Sequence, residues 1–180
     1  MNVNKKFTDT NIRVNCRFSY AHVFAPRLNE QSGEKKYDCC LIIDKKDTEA
    51  VKLVEDAVEA AKTLYKEKFG RPSGKLKTVV HDGDEEKPED PVYAGCIYVN
   101  TGSKSAPGVK VLEDGVLVDA LDEGDFYSGC YGAADINFFP YNNKKGAFGI
   151  SCGLNNVLKI RDGEKLSGGL SADEAFSDLT

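Results

Sequence analysis

The 180-residue sequence contains no C-x-x-C pair, no internal repeat, no low-complexity tract and no set of nucleophile, base and orienting partner. Its longest apolar runs fall well short of the roughly 20 residues a membrane helix needs. The opening MNVNKKFTDTN has no apolar core of a secretory signal, so the expected location is intracellular. His22 and His81 are isolated from any cysteine pair, which leaves zinc without ligands, so neither metal nor cofactor is expected. The six cysteines (Cys16, Cys39, Cys40, Cys96, Cys130, Cys152) mostly lie in strand-like apolar runs, and two are adjacent. That setting reads as buried reduced thiols and not as a disulfide scaffold. Catalysis has no constellation to work with, and binding is the better reading.

Charge is unevenly spread. The net value of −5 hides 16 Lys/Arg against 11 Asp/Glu in residues 1–80, and 8 against 18 in residues 81–180. Much of the excess acid sits in DGDEEKPED (Asp82 to Asp90) and in DALDEGD ending at Asp125. The first run reads as a solvated loop. A local basic groove is therefore compatible with the acidic total.

Periodicity gives a mainly β chain with one long helix, a β-rich α+β protein. From Asn11 to Phe24 the residues alternate, with Val14, Cys16, Phe18 and Tyr20 on one face, until Pro26 ends the strand. Tyr37 to Ile43 is nearly all apolar, as in a central strand. Asp47 to Phe69 repeats apolar residues at three- and four-residue steps, with Asp44 or Asp47 as cap and Gly70 followed by Pro72 as stop. Short strands follow at Leu76–Val80, Val92–Thr101, Val109–Leu112 and Val116–Val118, and both parities of Val92–Thr101 carry apolar side chains.

The richest segment runs from Phe126 to Gly169. Within it, Cys130–Tyr141 splits by parity: Ala134, Ile136 and Phe138 on one face, Tyr131, Asp135, Asn137, Phe139 and Tyr141 on the other. After NNKKG, Phe148, Ile150, Cys152 and Leu154 alternate with Ala147, Gly149, Ser151 and Gly153. Paired as a hairpin, the apolar sets meet in the core. The opposite face then has rings on one strand and almost no side chains on its neighbour. Strand glycines often mark close approach of a ligand or another backbone. Flat rings can stack on bases, and Lys144 and Lys145 at the tip can hold phosphates, as in a surface for single-stranded nucleic acid. The competing reading is a second core layer, in which the helix covers the aromatics.

Tyr98 is a further ring of the candidate surface, and Arg17, Lys77 and Lys104 are further cations. In the closing SADEAFSDLT, Asp173, Glu174, Phe176 and Asp178 form a short acidic segment with one aromatic, suited to docking on partner proteins.

The segments RFSYAHVFAP, KKYDCCLIIDKKD, YSGCYGAADINFFPYNNKKGAFGISCGLNNVLKIRDGEKLSGG and the closing ADEAF, in that order, resemble the OB-fold single-stranded DNA-binding proteins of tailed phages and prophages. The resemblance covers about Ile12 to Phe176. It implies a five-stranded antiparallel barrel with an inserted helix and extra strands. It also implies sequence-independent binding of single-stranded DNA in phage replication or recombination, with a groove along the Tyr131–Tyr141 strand and nearby lysines. On that basis residues 1–170 are expected to form one OB-like domain and residues 171–180 a weakly acidic tail. Replication or recombination proteins are the expected partners of the tail, and a homodimer is compatible with the reading. The alternative is a phage structural or protein-interaction module that uses the aromatic face as a protein interface.

Overall fold

A two-residue strand, β1 (Lys5–Lys6), pairs with the start of β2 (Asn11–Leu28), where period-two burial turns Ile12, Val14, Cys16 and Phe18 inward. The structure is a computed structural model that describes residues 1–143, 145–166 and 176–179. In chain order β2 is followed by β3 (Lys35–Asp44), α1 (Thr48–Phe69), β4 (Val80–Asp82), α2 (Gly83–Glu86), β5 (Cys96–Ser103), β6 (Gly108–Glu113), β7 (Val116–Asp119), β8 (Tyr131–Asn142) and β9 (Phe148–Arg161). A 3₁₀ turn covers Ser177–Leu179.

Five strands close into a barrel in the order β5–β3–β2–β8–β9. β9 returns to β5 at Gly102↔Gly153. This closing contact is parallel, so the barrel is not wholly antiparallel as the resemblance implied. The other four pairings are antiparallel. Closure removes the free edges of these five strands. Leu41, Val99, Ile136, Phe138, Ile150 and Leu154 fill the interior, each 2% exposed or less.

The helix is inserted between β3 and β4 and packs on this interior, with Val54, Ala61 and Tyr65 in the same cluster as the barrel residues. The Asp47 carboxylate accepts a hydrogen bond from Ala50 N at 3.1 Å, and Gly70 ends the helix at φ 80°. Gly70 has the backbone freedom that such a stop requires. The helix therefore fills the barrel end and does not lie over the aromatic face.

Three expectations change. β2 does not end at Pro26 but runs to Leu28, because the missing N–H falls within the register shift between His22 and Arg27, where the ladder is already interrupted. The alternation breaks at Tyr20, which is exposed at φ 46° while Ser19 is buried, so Tyr20 leaves the inward set. The acidic run from Asp82 is also more than a solvated loop. Asp82 caps α2, and Lys45 Nζ reaches Asp82 at 2.8 Å and Asp84 at 2.7 Å.

The Lys45 hydrogen bond holds the Asp82 carboxyl below its ordinary value. Asp84 is held down first by the Gly95 amide and then by Lys45. Depressed carboxyls contribute stability above their unfolded values and lose it as pH falls through the folded ones, below the usual carboxylate range near 4. Residues 82–95 are thus expected to loosen before the barrel on acidification, measured as loss of amide-exchange protection at Gly95. Equal protection of Gly95 and core amides at about pH 2 would contradict this.

Five of the six thiols are buried and Cys96 is half-buried, all free. Burial raises Cys16, Cys39 and Cys152 well above the ordinary thiol value and pushes Cys40 up to about 11. Such thiols stay protonated and unreactive at neutral pH. Among the described residues no group of three or more His, Cys, Asp or Glu is placed to hold a metal ion, and no helix is long and apolar enough to cross a membrane.

Candidate nucleic-acid interface

Where β5 and β9 meet, the outer wall of the barrel has no side chains. A row of paired residues runs His22–Asp38–Gly102–Gly153–Asn137, and its centre is two glycines. The β8–β9 register sets Phe139 against Ser151 and Tyr141 against Gly149. A Cβ on Gly153 would lie 3.7 Å from the Phe139 ring, and one on Gly149 would lie 3.1 Å from the Tyr141 hydroxyl. Each ring thus lies beside the glycine of the neighbouring strand. Phe139 remains 40% exposed, which the alternative of a second core layer does not accommodate.

Two strands from Gly102, on β2, Tyr20 is 59% exposed. A left-handed backbone is uncommon for a large residue and costs about 1–2 kcal/mol, yet here it turns the ring out of the barrel. Lys87 Nζ lies 5.4 Å from the Tyr20 ring centroid, 4.4 Å from Tyr93 and 5.4 Å from Tyr98. Beside Tyr20, the Asp38 carboxylate binds His22 Nδ1 at 2.6 Å and Arg27 Nη2 at 2.8 Å. Tyr20, His22, Arg27, Asp38, Cys40 and Asn100 help line a groove of about 340 Å³.

Two loops flank this wall. The β2–β3 turn carries Glu34, on which Lys36 and Lys104 converge at 3.8 Å and 3.9 Å. The β8–β9 turn carries Lys145, where the Asn143 side chain accepts from the amides of Lys145 and Ala147, 3.0 Å each. Lys77 pairs by its backbone with Gly149, so it stands in the same row as Tyr141. From that row to Gly153 is four residues of β9, and Lys104 follows Gly102 by two on the parallel β5, a span of about 20 Å. The arrangement is a strip with rings along its sides and ammonium groups at both ends.

The sequence-derived set divides accordingly. Lys77, Lys104, Phe139, Tyr141 and Lys145 gather along this strip. Tyr98 does not belong to it. At 7% exposure it packs with Cys40, Ile42 and Tyr93 in a second cluster, its ring stacked on His81 at 5.0 Å. The ambiguous parity of Val92–Thr101 has the same cause, because both faces of β5 are covered. Tyr131 and Arg17 stand at the far end of β8, about 33 Å from Tyr141 along the strand. There Arg17 and Arg161 lie 4.9 Å and 3.7 Å from the Tyr131 ring, and Arg17 donates to the carbonyls of Gly129 and Glu164. Between the two ends, Asp135 accepts from Asn11, Asn155 and Asn156, a carboxylate that phosphates would avoid. Lys144, Asp173 and Glu174 lie outside the described residues. Phe176 and Asp178 are exposed in the terminal turn.

Tyr20, Arg27, Lys36, Lys87 and Gly102 were not singled out from the sequence. Lys87 was hidden inside an acidic run, and Tyr20 inside a regular alternation.

A five-stranded barrel closed by its third and fifth strands is an OB barrel, and such barrels use the face of their second and third strands with the flanking loops to bind oligonucleotides. Here those parts are β3, β5 and the β2–β3 and β8–β9 turns. Residues 10–180 match the family described as Enterobacter phage Enc34, ssDNA-binding protein, and the chain belongs to that family. Protein p50 of Acyrthosiphon pisum secondary endosymbiont phage 1 is 28% identical over 177 residues, 92% of this chain and 91% of that protein. The solved single-stranded DNA-binding protein from bacteriophage Enc34, in complex with ssDNA, superposes with a TM-score of 0.77 at 25% identity, covering 92% of this chain and 98% of that one. The bacteriophage T7 protein gp2.5, a single-stranded DNA-binding protein, shares the fold alone, with a TM-score of 0.56 at 13% identity over 93% of this chain and 94% of that one.

Proposed function

We propose that the chain binds single-stranded DNA without sequence preference during phage replication or recombination, and that the strand lies in the groove over Gly102 and Gly153. Binding is the activity that the family's description names. The observation that carries the groove is the side-chain-free floor between two exposed rings, Phe139 and Tyr20. Bases stack on these rings and on Tyr141, and stacking serves any base because every base has a π-face. Phosphates meet Lys77, Lys87, Lys104, Lys144 and Lys145. Arg17 and Tyr131 form a separate patch that a longer strand reaches only after crossing the Asp135 region. The acidic residues around Phe176 serve as a contact for replication or recombination proteins.

The test is a fluorescence-polarisation titration with a labelled 30-mer, single-stranded and duplex, at two salt concentrations. The single strand should bind more tightly, because duplex bases are already stacked, and affinity should fall steeply with salt. Equal affinity for both forms with no salt dependence would favour the protein-interaction reading. Changing Lys87 and Lys145 together to alanine should reduce the salt slope by about 1.4, since each single-strand phosphate contact contributes about 0.7. An unchanged slope removes both lysines from the site.

A further inference from the structure

The β6–β7 hairpin ends in an edge unlike any other part of the surface. β7 pairs with β6 on one side, from Glu113↔Val116 to Lys110↔Asp119, and no described strand pairs with its other side. Its Val116, Leu117 and Val118 are all exposed, and Leu121 just beyond is 82% exposed. Soluble proteins usually protect such an edge with lysine, proline or a bulge, and β7 has none of these. An unprotected run of good strand formers is a template for another strand.

The rim indicates which kind of strand. Glu113, Asp114, Asp122 and Glu123 are exposed around the apolar strip, and none of them has an ion-pair partner among the described residues. Lys110, on the neighbouring β6, is already paired with Asp119. This negative rim repels DNA phosphates, so the edge stays free while the groove is occupied. It also opposes antiparallel pairing of two β7 edges, which would bring like charges together at both ends.

We propose that β7 is a docking edge for a second protein, which adds an extended segment of alternating cationic and apolar residues as a further strand. Backbone hydrogen bonds supply the pairing, Val116 to Val118 contact the apolar positions, and the carboxylates select the cationic ones.

The probe is a labelled 12-residue peptide of alternating lysine and valine, titrated into the full chain with and without saturating oligo(dT). A lysine–proline peptide of equal charge, unable to join a ladder, serves as control. The lysine–valine peptide should bind more than tenfold tighter than the control, equally with and without oligo(dT). The double variant Val116→Lys, Val118→Lys should lose peptide binding and keep its oligo(dT) affinity, which also reports that it folds. Equal binding of both peptides, loss of binding on adding oligo(dT), or an unaffected double variant overturns the proposal. So does a dimer in sedimentation that the double variant dissociates, since a second copy would then cover the edge.

Discussion

Replacing Tyr20 with glycine is expected to weaken oligo(dT) binding by about 5- to 150-fold while leaving the chain as stable as before or more so. The loss follows from one stacking platform, about 1–3 kcal/mol by alanine substitution, at 1.4 kcal/mol per tenfold. The stability follows from the backbone. Tyr20 is held at φ 46°, which glycine adopts freely, so relief of about 1–2 kcal/mol offsets the lost contact with Lys87, about 0.5–1 kcal/mol. Tyr20→Ala is the control, because it removes the ring and keeps the strain. The two variants should share one affinity and differ in melting temperature. Parental affinity in both would rule Tyr20 out as a platform.

The second large effect concerns the floor. A Cβ on Gly102 would come no closer than 3.5 Å to the Tyr37 carbonyl, and one on Gly153 no closer than 3.6 Å to the Asn137 carbonyl. Both backbones therefore have room for a Cβ at ordinary contact distance, with the Phe139 ring the next neighbour of Gly153 at 3.7 Å. Gly102→Val and Gly153→Val are expected to keep or raise the unfolding midpoint while lowering DNA affinity more than tenfold, by standing where the strand lies. Gly132 gives the contrast, since a Cβ there would run into the Leu158 carbonyl and valine should destabilise the fold outright. Unaltered oligo(dT) affinity in both floor variants would place the DNA elsewhere, with the Arg17–Tyr131–Arg161 patch the next place to look.

How much of this was legible in the sequence varies by element. The faces of the β8–β9 hairpin were legible, because a slip by one residue would turn one of the two apolar sets outward. The observed partners Phe138↔Cys152, Phe139↔Ser151 and Tyr141↔Gly149 keep that parity, while the register itself and its shifts at Tyr131/Gly132 and Asp135/Ile136 have no signal in the alternation. The helix was equally legible, from its stripe and its cap at Asp47. Tyr20 was not, because a bulge inserts no sequence signal when the residue in the left-handed position is a tyrosine. Tyr131 belongs to the correct face of β8, yet a common face says nothing about a common site when nine residues separate it from Tyr141. Tyr98 looked available because its strand has apolar residues on both faces, and only the packing of Tyr93 and His81 reveals which are covered.

The order of residues alone determined a thiol-bearing, β-rich chain with one capped helix, and a hairpin whose rings lie beside glycines. Those features depend on neighbours within a few positions, where period and turn chemistry act directly. Tertiary structure alone decided that Gly102 would meet Gly153, that Lys87 would sit over three tyrosines, and that the acidic rim would surround an open edge at β7. The meeting of Gly102 with Gly153, and of Lys87 with Tyr20, joins positions distant in the chain, and the openness of β7 depends on which strands find a partner. Barrel closure and strand twist set these outcomes through the register of several strands at once.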